Sequence, residues 1–210
     1  MDIGIIGAGQ VGITLGRGLG KAGHRIFYGV RDPSAAKHEA LRGEDDVVVT
    51  TVPEAVARAR AVILATPWAT TREALAVAGD FAGKPLIDAT NPIGPDLSLT
   101  HGHDDSGGEQ VSRWATNARV VKAFNTTGLE NMADPSYAGT PATMFVCGDD
   151  GQANELAAAL AKDLGFEPLI VGDSTKARLL EPAALLWIKL AIVQGNGRDI
   201  AYKLLRREAQ

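Results

Sequence analysis

Short runs of β-branched and other apolar residues alternate along this chain with Ala- and Leu-rich stretches whose apolar positions return every three or four residues. The short runs predict strands at Asp2–Ile6, Arg25–Gly29, Val47–Val49, Ala61–Ala65, Pro85–Asp88 and Arg119–Ala123. Between them the helical period predicts Gln10–Lys21, Ser34–Ala40, Pro53–Ala59, Thr70–Ala78 and Gly108–Ala115. Pro33 and Pro53 fall where a first helical turn tolerates a missing N–H. Strand, helix, strand, repeated, is the pattern of a mainly parallel α/β sheet, because parallel neighbours need a crossover between them. Two more strands, Ala142–Cys147 and Glu167–Val171, bracket a helix at Gln152–Asp163 that stops at Gly165, and they are expected to extend the sheet. From Asp173 onward the pattern is wholly helical, with a break at Gly195-Asn196-Gly197 and a last helix running to Arg207. The expected division is therefore a nucleotide-binding α/β domain over 1–172 and a helical cap over 173–210.

Composition narrows the class. With 210 residues and 45% hydrophobic content the chain can bury a real core. Its 24 glycines against 5% aromatics suit tight turns and close backbone approach. The net charge of −4 argues against bulk nucleic-acid binding. The single cysteine, Cys147, cannot close an internal disulfide and sits in an apolar strand, so it reads as packing. The apolar run Pro182–Val193 is too short for a membrane span, and no leader pattern precedes the first strand; a soluble, cytoplasmic protein is expected.

The first strand runs into Gly7-Ala8-Gly9-Gln10-Val11-Gly12 and then a helix. That is the dinucleotide fingerprint in its strand–turn–helix context: one glycine for the tight turn, one for backbone approach to a pyrophosphate, one for close packing of helix on strand. The fold expected is thus a doubly wound Rossmann sheet. The tip of the second strand, Gly29-Val30-Arg31-Asp32, separates NAD from NADP. An NAD site places a carboxylate there for the ribose hydroxyls; here neither Gly29 nor Val30 repels a 2′-phosphate, Arg31 offers a planar guanidinium, Lys37 follows in the next element, and Asp32 comes two residues late.

In open α/β sheets ligands lie across the carboxyl ends of the strands. Three of those ends carry small hydroxyl and amide side chains beside apolar walls: Thr66-Pro67-Trp68, Thr90-Asn91-Pro92-Ile93 and Phe124-Asn125-Thr126-Thr127. None carries a histidine, tyrosine or carboxylate suited to protonating a nascent alkoxide or amine, as ketone or imine reduction requires. Hydride exchange with a flavin-like ring needs stacking, distance and exclusion of water instead. Lys122 and Lys189 are the candidate acids, each read as a solvated side chain. The stretch His101-Gly102-His103-Asp104-Asp105 reads as a polar flexible loop rather than a metal site.

These motifs, with Val121-Lys122-Ala123-Phe124-Asn125-Thr126, Val146-Cys147-Gly148-Asp149-Asp150 and Ala177-Arg178-Leu179-Leu180-Glu181, resemble the NADP oxidoreductase, coenzyme F420-dependent family, over nearly the whole chain. The nucleotide module is also similar to the cytoplasmic part of the STEAP metalloreductases. The resemblance implies NADP(H) with a deazaflavin (coenzyme F420), or FMN or FAD, beside the nicotinamide, in a homodimer. By position it implies Ala8 to Val11 at the pyrophosphate and Arg31 with Lys37 at the 2′-phosphate. It implies Thr66, Pro67 and Trp68 on the nicotinamide side, and Asn125, Thr126 and Gly195-Asn196-Gly197 toward the second cofactor. Val30 stands where the family's reductases often place Ser or Thr, which implies a weaker NADP preference. Two other readings stay open: a small-molecule imine, ketone or hydroxy-acid reductase, and a non-catalytic NADP-binding sensor or electron-supplying module. The first of these is disfavoured by Val193, which stands where the β-hydroxyacid dehydrogenases carry an Asn four residues after a catalytic Lys.

Charge is unevenly spread. From Lys176 to Arg207 seven cations face two carboxylates, about +5, leaving about −9 for the remainder. A basic cap would attract an anionic cofactor tail or complement an acidic face, of its own domain or of a second subunit.

Overall fold

Ile3, Gly4, Ile5 and Ile6 are all buried, so the first strand is covered on both faces and belongs at the middle of a layered structure. The computed structural model, which describes residues 1–207, places it there. The strands are β1 Asp2–Ile6, β2 Arg25–Val30, β3 Val47–Thr51, β4 Ala61–Leu64, β5 Pro85–Asp88, β6 Arg119–Lys122, a short ribbon of β7 Ser136–Tyr137 and β8 Thr140–Pro141, then β9 Thr143–Gly148 and β10 Glu167–Gly172. All but the ribbon form one eight-stranded sheet in the order β10-β9-β6-β5-β4-β1-β2-β3. The chain winds outward from β1 through β2 to β3 and returns on the other side through β4, β5 and β6. The winding reverses between β1 and β4, the position at which doubly wound folds bind their ligands.

Helices cover both faces. On one lie α1 Gln10–Lys21, α6 Leu129–Ala133 and α7 Gly151–Asp163, over a core containing Leu15, Leu19, Tyr28, Ile63, Ile87, Met144 and Leu160. On the other, α3 Val52–Arg58, α4 Trp68–Ala78 and α5 Gly107–Trp114 enclose Val56, Leu64, Leu75, Phe81 and Val111. Apolar positions on the two faces of β1, β4 and β5 therefore feed two separate cores, and a smaller cluster of Cys147, Ala177 and Leu180 lies between β9 and the segment after β10. A short α2, Glu39–Arg42, leads into β3, and α8, Ala177–Ile188, follows β10.

The expected doubly wound α/β architecture holds, with three local differences. The predicted helix Ser34–Ala40 is a 3₁₀ turn, Ala36–His38, followed by α2. Asp32 folds the chain into a side-chain-closed turn by accepting from the N–H and hydroxyl of Ser34, and Ala35 is extended, so the helix cannot start at Ser34. β9 runs antiparallel to β6, with β10 parallel to β9. Third, the tail is not helical to Arg207. α8 passes into a π-helical turn, Lys189–Val193, Gly195 and Gly197 take left-handed φ, and the chain then runs without helix along β9. β9 meets β6 only through Val121–Gly148 and Lys122–Cys147, which leaves its opening residues in need of partners. The tail supplies them: Thr143 N–H donates to the Tyr202 carbonyl, and its hydroxyl accepts from Leu204 N–H. The final three residues of the predicted cap, 208–210, lie outside the described residues. No helix among the described residues is long and apolar enough to cross a membrane.

Candidate functional site

The turn after β1 is shaped by contacts that only glycine allows. Gly7 has φ +106°, and a Cβ there would come within 2.8 Å of the Ala65 carbonyl oxygen. A Cβ on Gly12 would overlap the Gly7 carbonyl, and one on Gly16 the Tyr28 hydroxyl, so α1 lies directly on the strands beneath it. Gly9 differs: a Cβ there would meet nothing within 4 Å. Its side faces open space at the very point where α1 begins. No side chain caps α1 and no acidic residue stands in its first turn, whereas Thr51, Ser106 and Asp150 cap α3, α5 and α7. Gln10, Val11 and Gly12 thus open α1 with uncapped N–H groups beside the open side of Gly9, and Ala8 adjoins them half-buried. The donor set and the space fit a pyrophosphate.

At the tip of β2 the Asp32 carboxylate is committed to Ser34 and held below the usual carboxylate range by those hydrogen bonds. Arg42 ties the carbonyls of Pro33 and Ala35 into the same turn. Arg31 and Lys37 are exposed and have no hydrogen-bonding partner among the described residues. Gly29 is required by packing, since a Cβ would strike Val52 and Ala55 of α3. The turn therefore closes on its own carboxylate and leaves two cations outward, an arrangement that fits a 2′-phosphate better than a ribose diol.

The three strand ends come together as expected, with unequal roles. Asn91 and Asn125 clasp each other: the Asn91 amide donates to the Asn125 carbonyl at 2.8 Å, and the Asn125 amide donates to Asn91 Oδ1 at 3.0 Å and to the Leu180 carbonyl of α8 at 3.3 Å. Asn125 Oδ1 and Thr126 Oγ1 are buried with no partner among the described residues. Just before them Phe124 holds φ +63°, a left-handed conformation unusual for an aromatic residue. Buried, unpaired acceptors beside a strained turn at a strand end are the features of a site that completes its hydrogen bonds with a ligand. The Thr66 hydroxyl, by contrast, pairs with Thr71 at 2.9 Å inside the first turn of α4. Pro67 is exposed, and the half-buried Trp68 ring packs on Trp114 and meets the edge of His101, each at 5.4 Å. The loop Gly195-Asn196-Gly197 is not joined to Asn125 or Thr126 by any hydrogen bond among the described residues; Asn196 closes its own helix through the Leu190 carbonyl.

Sequence reasoning missed a cluster directly below this rim. Lys122, expected to be solvated, is 2% exposed, and its ammonium reaches Asp88 at 2.9 Å, Glu181 at 2.8 Å and the Thr90 carbonyl at 2.7 Å. Its three donors are thereby used and its pKa is raised by the two carboxylates, against the opposing effect of burial. It is not available as an acid. Asp88 also accepts from Thr90 N–H and hydroxyl, while Glu181 accepts the first amides of α5, Gly107 and Gly108, at 2.8 and 2.9 Å. The remaining negative charge thus lies at the positive end of a helix. The signal in the sequence was three isolated charges, each inside an apolar run. The loop expected to be flexible also has a fixed place: Thr100 donates twice to the Pro92 carbonyl, pinning His101 beside Trp68. Cys147 is buried and its thiol is pushed up to about 12 by burial, so it stays protonated.

The basic tail answers to the acidic residues of the same chain. Arg178 pairs with Glu109, Arg198 with Glu130 and Lys203 with Glu167.

The family model described as NADP oxidoreductase coenzyme F420-dependent matches residues 2–92. A solved structure from Arthrobacter sp. FB24, which carries the provisional name F420-dependent NADP-reductase, is 33% identical. The match covers 98% of this chain and 100% of that one with a TM-score of 0.89. Metalloreductase STEAP3 of Rattus norvegicus is 27% identical over 183 residues, 87% of this chain and 36% of its own length. Glycerol-3-phosphate dehydrogenase [NAD(P)+] of Azorhizobium caulinodans is 28% identical over 204 residues, 92% of this chain and 59% of its own. The chain thus spans less than two thirds of these two curated relatives.

Proposed function

The chain belongs to the NADP oxidoreductase, coenzyme F420-dependent family, and from that premise we propose that it moves hydride between NADP(H) and a flavin or deazaflavin ring stacked beside the nicotinamide. The observation that carries the reading is the rim itself: buried, unpaired Asn125 Oδ1 and Thr126 Oγ1 among strand ends that offer no free acid. When bound, the nicotinamide supplies the hydride. The uncapped amides of α1 neutralise the pyrophosphate, and Arg31 with Lys37 selects the 2′-phosphate. The Asn91–Asn125 clasp orients the reacting end, and α8, joined to it through the Leu180 carbonyl, excludes water on that side. Lys122 fixes the clasp from below without exchanging a proton. Residues 1–172 are read as the nucleotide domain and the following segment as its cap. The exposed Leu186, Leu190 and Val193 on the cap support a homodimer.

A panel of acceptors tests this. NADPH oxidation is expected with F420, FMN or FAD and not with an imine or a keto acid. The second reading, a small-molecule reductase, has one observation in its favour: His101 stands against Trp68 as a titratable group near the rim. Turnover of an imine or keto acid that is lost in His101→Ala would establish that reading instead; NADPH binding with no turnover would point to a sensor.

A further inference from the structure

A cavity of about 670 Å³ opens between the 99–103 loop and the start of α8. That is within the usual range for a small-ligand site. Its walls are Leu99, Leu179 and Pro182 on the apolar side and Thr100, His101, His103, Thr175, Lys176 and Arg178 on the polar side. No carboxylate lines it.

The surrounding carboxylates are mostly engaged elsewhere. Asp105 is taken by Arg113 and Gln110. Glu109 binds Nε and Nη2 of Arg178, which leaves the guanidinium's other N–H groups free to donate. Asp173 accepts from Thr175 N–H and forms a long ion pair with Lys176 at 3.8 Å; the Lys176 ammonium also lies 3.4 Å from the Thr175 hydroxyl, and its remaining donors are unused among the described residues. Asp104, exposed, is the neighbouring acid without a partner among the described residues. The His101 Nδ1 is taken by the Thr100 hydroxyl, so Lys176 and the exposed His103 are the basic side chains that border the cavity over an apolar floor, which is the chemistry of an amphipathic anion.

The cavity is joined to the rim. Thr100, on its wall, is hydrogen-bonded to Pro92 next to Asn91, and His101 touches both the cavity and Trp68. We propose that this chamber holds the anionic, non-reacting portion of the hydride acceptor, its phosphate or carboxylate at Lys176 and His103 and its apolar linker along Leu179 and Pro182. This inference rests on the flavin or deazaflavin reading for the identity of the ligand, though not for the existence of an anion site.

Two measurements test it. In steady-state assays Lys176→Glu and His103→Ala are compared with the parent using F420 and the same deazaflavin without its phosphate–glutamate tail. The expected result is a KM for F420 raised about tenfold or more in Lys176→Glu and severalfold in His103→Ala. The KM for NADPH, kcat, and the KM for the tail-less acceptor should each stay within about twofold. An unchanged KM, or equal rises for both acceptors, overturns the proposal. Independently, inorganic phosphate titrated into the NADP⁺-saturated protein should shift the His101 and His103 ring signals saturably, leave the buried His24 and His38 unmoved, and fail to do so in Lys176→Glu. No saturable shift overturns the anion site. Should a shift appear with no flavin or deazaflavin turned over, the acceptor reading fails while the anion site stands.

Discussion

The ammonium of Lys122 meets the carboxylate of Glu181 at 2.8 Å, with both side chains no more than 2% exposed. The contact joins the end of β6 to α8, and through the two amides Glu181 accepts it also fixes the start of α5. A lysine so placed holds three parts of the rim together while presenting no group to a substrate.

Removing it leaves Asp88 and Glu181 buried without their cation. Lys122→Met should cost about 3–5 kcal/mol of stability by urea unfolding. A loss below about 1 kcal/mol would mean that the carboxylates are reached by water or protonated at neutral pH.

Much of this was legible beforehand, for identifiable reasons. A glycine-rich turn between an apolar strand and an amphipathic helix leaves few alternatives, and β1, α1 and the open turn between them follow from it directly. The buried triad was not legible because Asp88, Lys122 and Glu181 are 34 and 59 residues apart in sequence, and only the sheet order brings them together. The tail misled for a related reason: residues 198–207 carry a helix-like composition, but Thr143 of β9 takes the Tyr202 carbonyl and the Leu204 N–H while Asn131 and Trp187 take the Ile200 carbonyl, tertiary demands that override local propensity.

The fingerprint glycines should separate by role. Gly9 has ordinary φ and free space, so Gly9→Ala should leave the melting temperature nearly unchanged while weakening NADPH binding at least tenfold in a titration of intrinsic fluorescence. Gly12→Ala forces a Cβ into the Gly7 carbonyl and should destabilise the whole fold. Equal melting temperatures for the two variants would count against this assignment of space.

Under the proposed reading, cofactor choice rests on Arg31. Arg31→Ala should raise the KM for NADPH roughly 10- to 100-fold, the value of a lost charge-assisted contact, and that for NADH by no more than about twofold. Equal effects on both cofactors would remove the 2′-phosphate from this residue.

The Arg178–Glu109 pair gives a pH signature. The hydrogen-bonded guanidinium, opposed by burial, holds the Glu109 carboxyl below its ordinary value of 4.5. A depressed folded pKa contributes stability that is complete above 4.5 and is lost as pH falls through the folded value. The stability gap between the parent and Arg178→Met should therefore be full at pH 6–7 and close in acid. A gap independent of pH would mean that Arg178 acts through packing alone.

The central claim is direct hydride transfer to a flavin-type ring, and isotope tracing reads it most directly. NADPH carrying deuterium at the transferable C4 position is mixed with F420, whose ring accepts hydride at carbon and so retains the label. One deuterium is expected in the reduced deazaflavin per NADPH consumed, with no washout to water. Unlabelled product, or NADPH consumption that needs an imine or keto acid and is lost in His101→Ala, would contradict direct transfer.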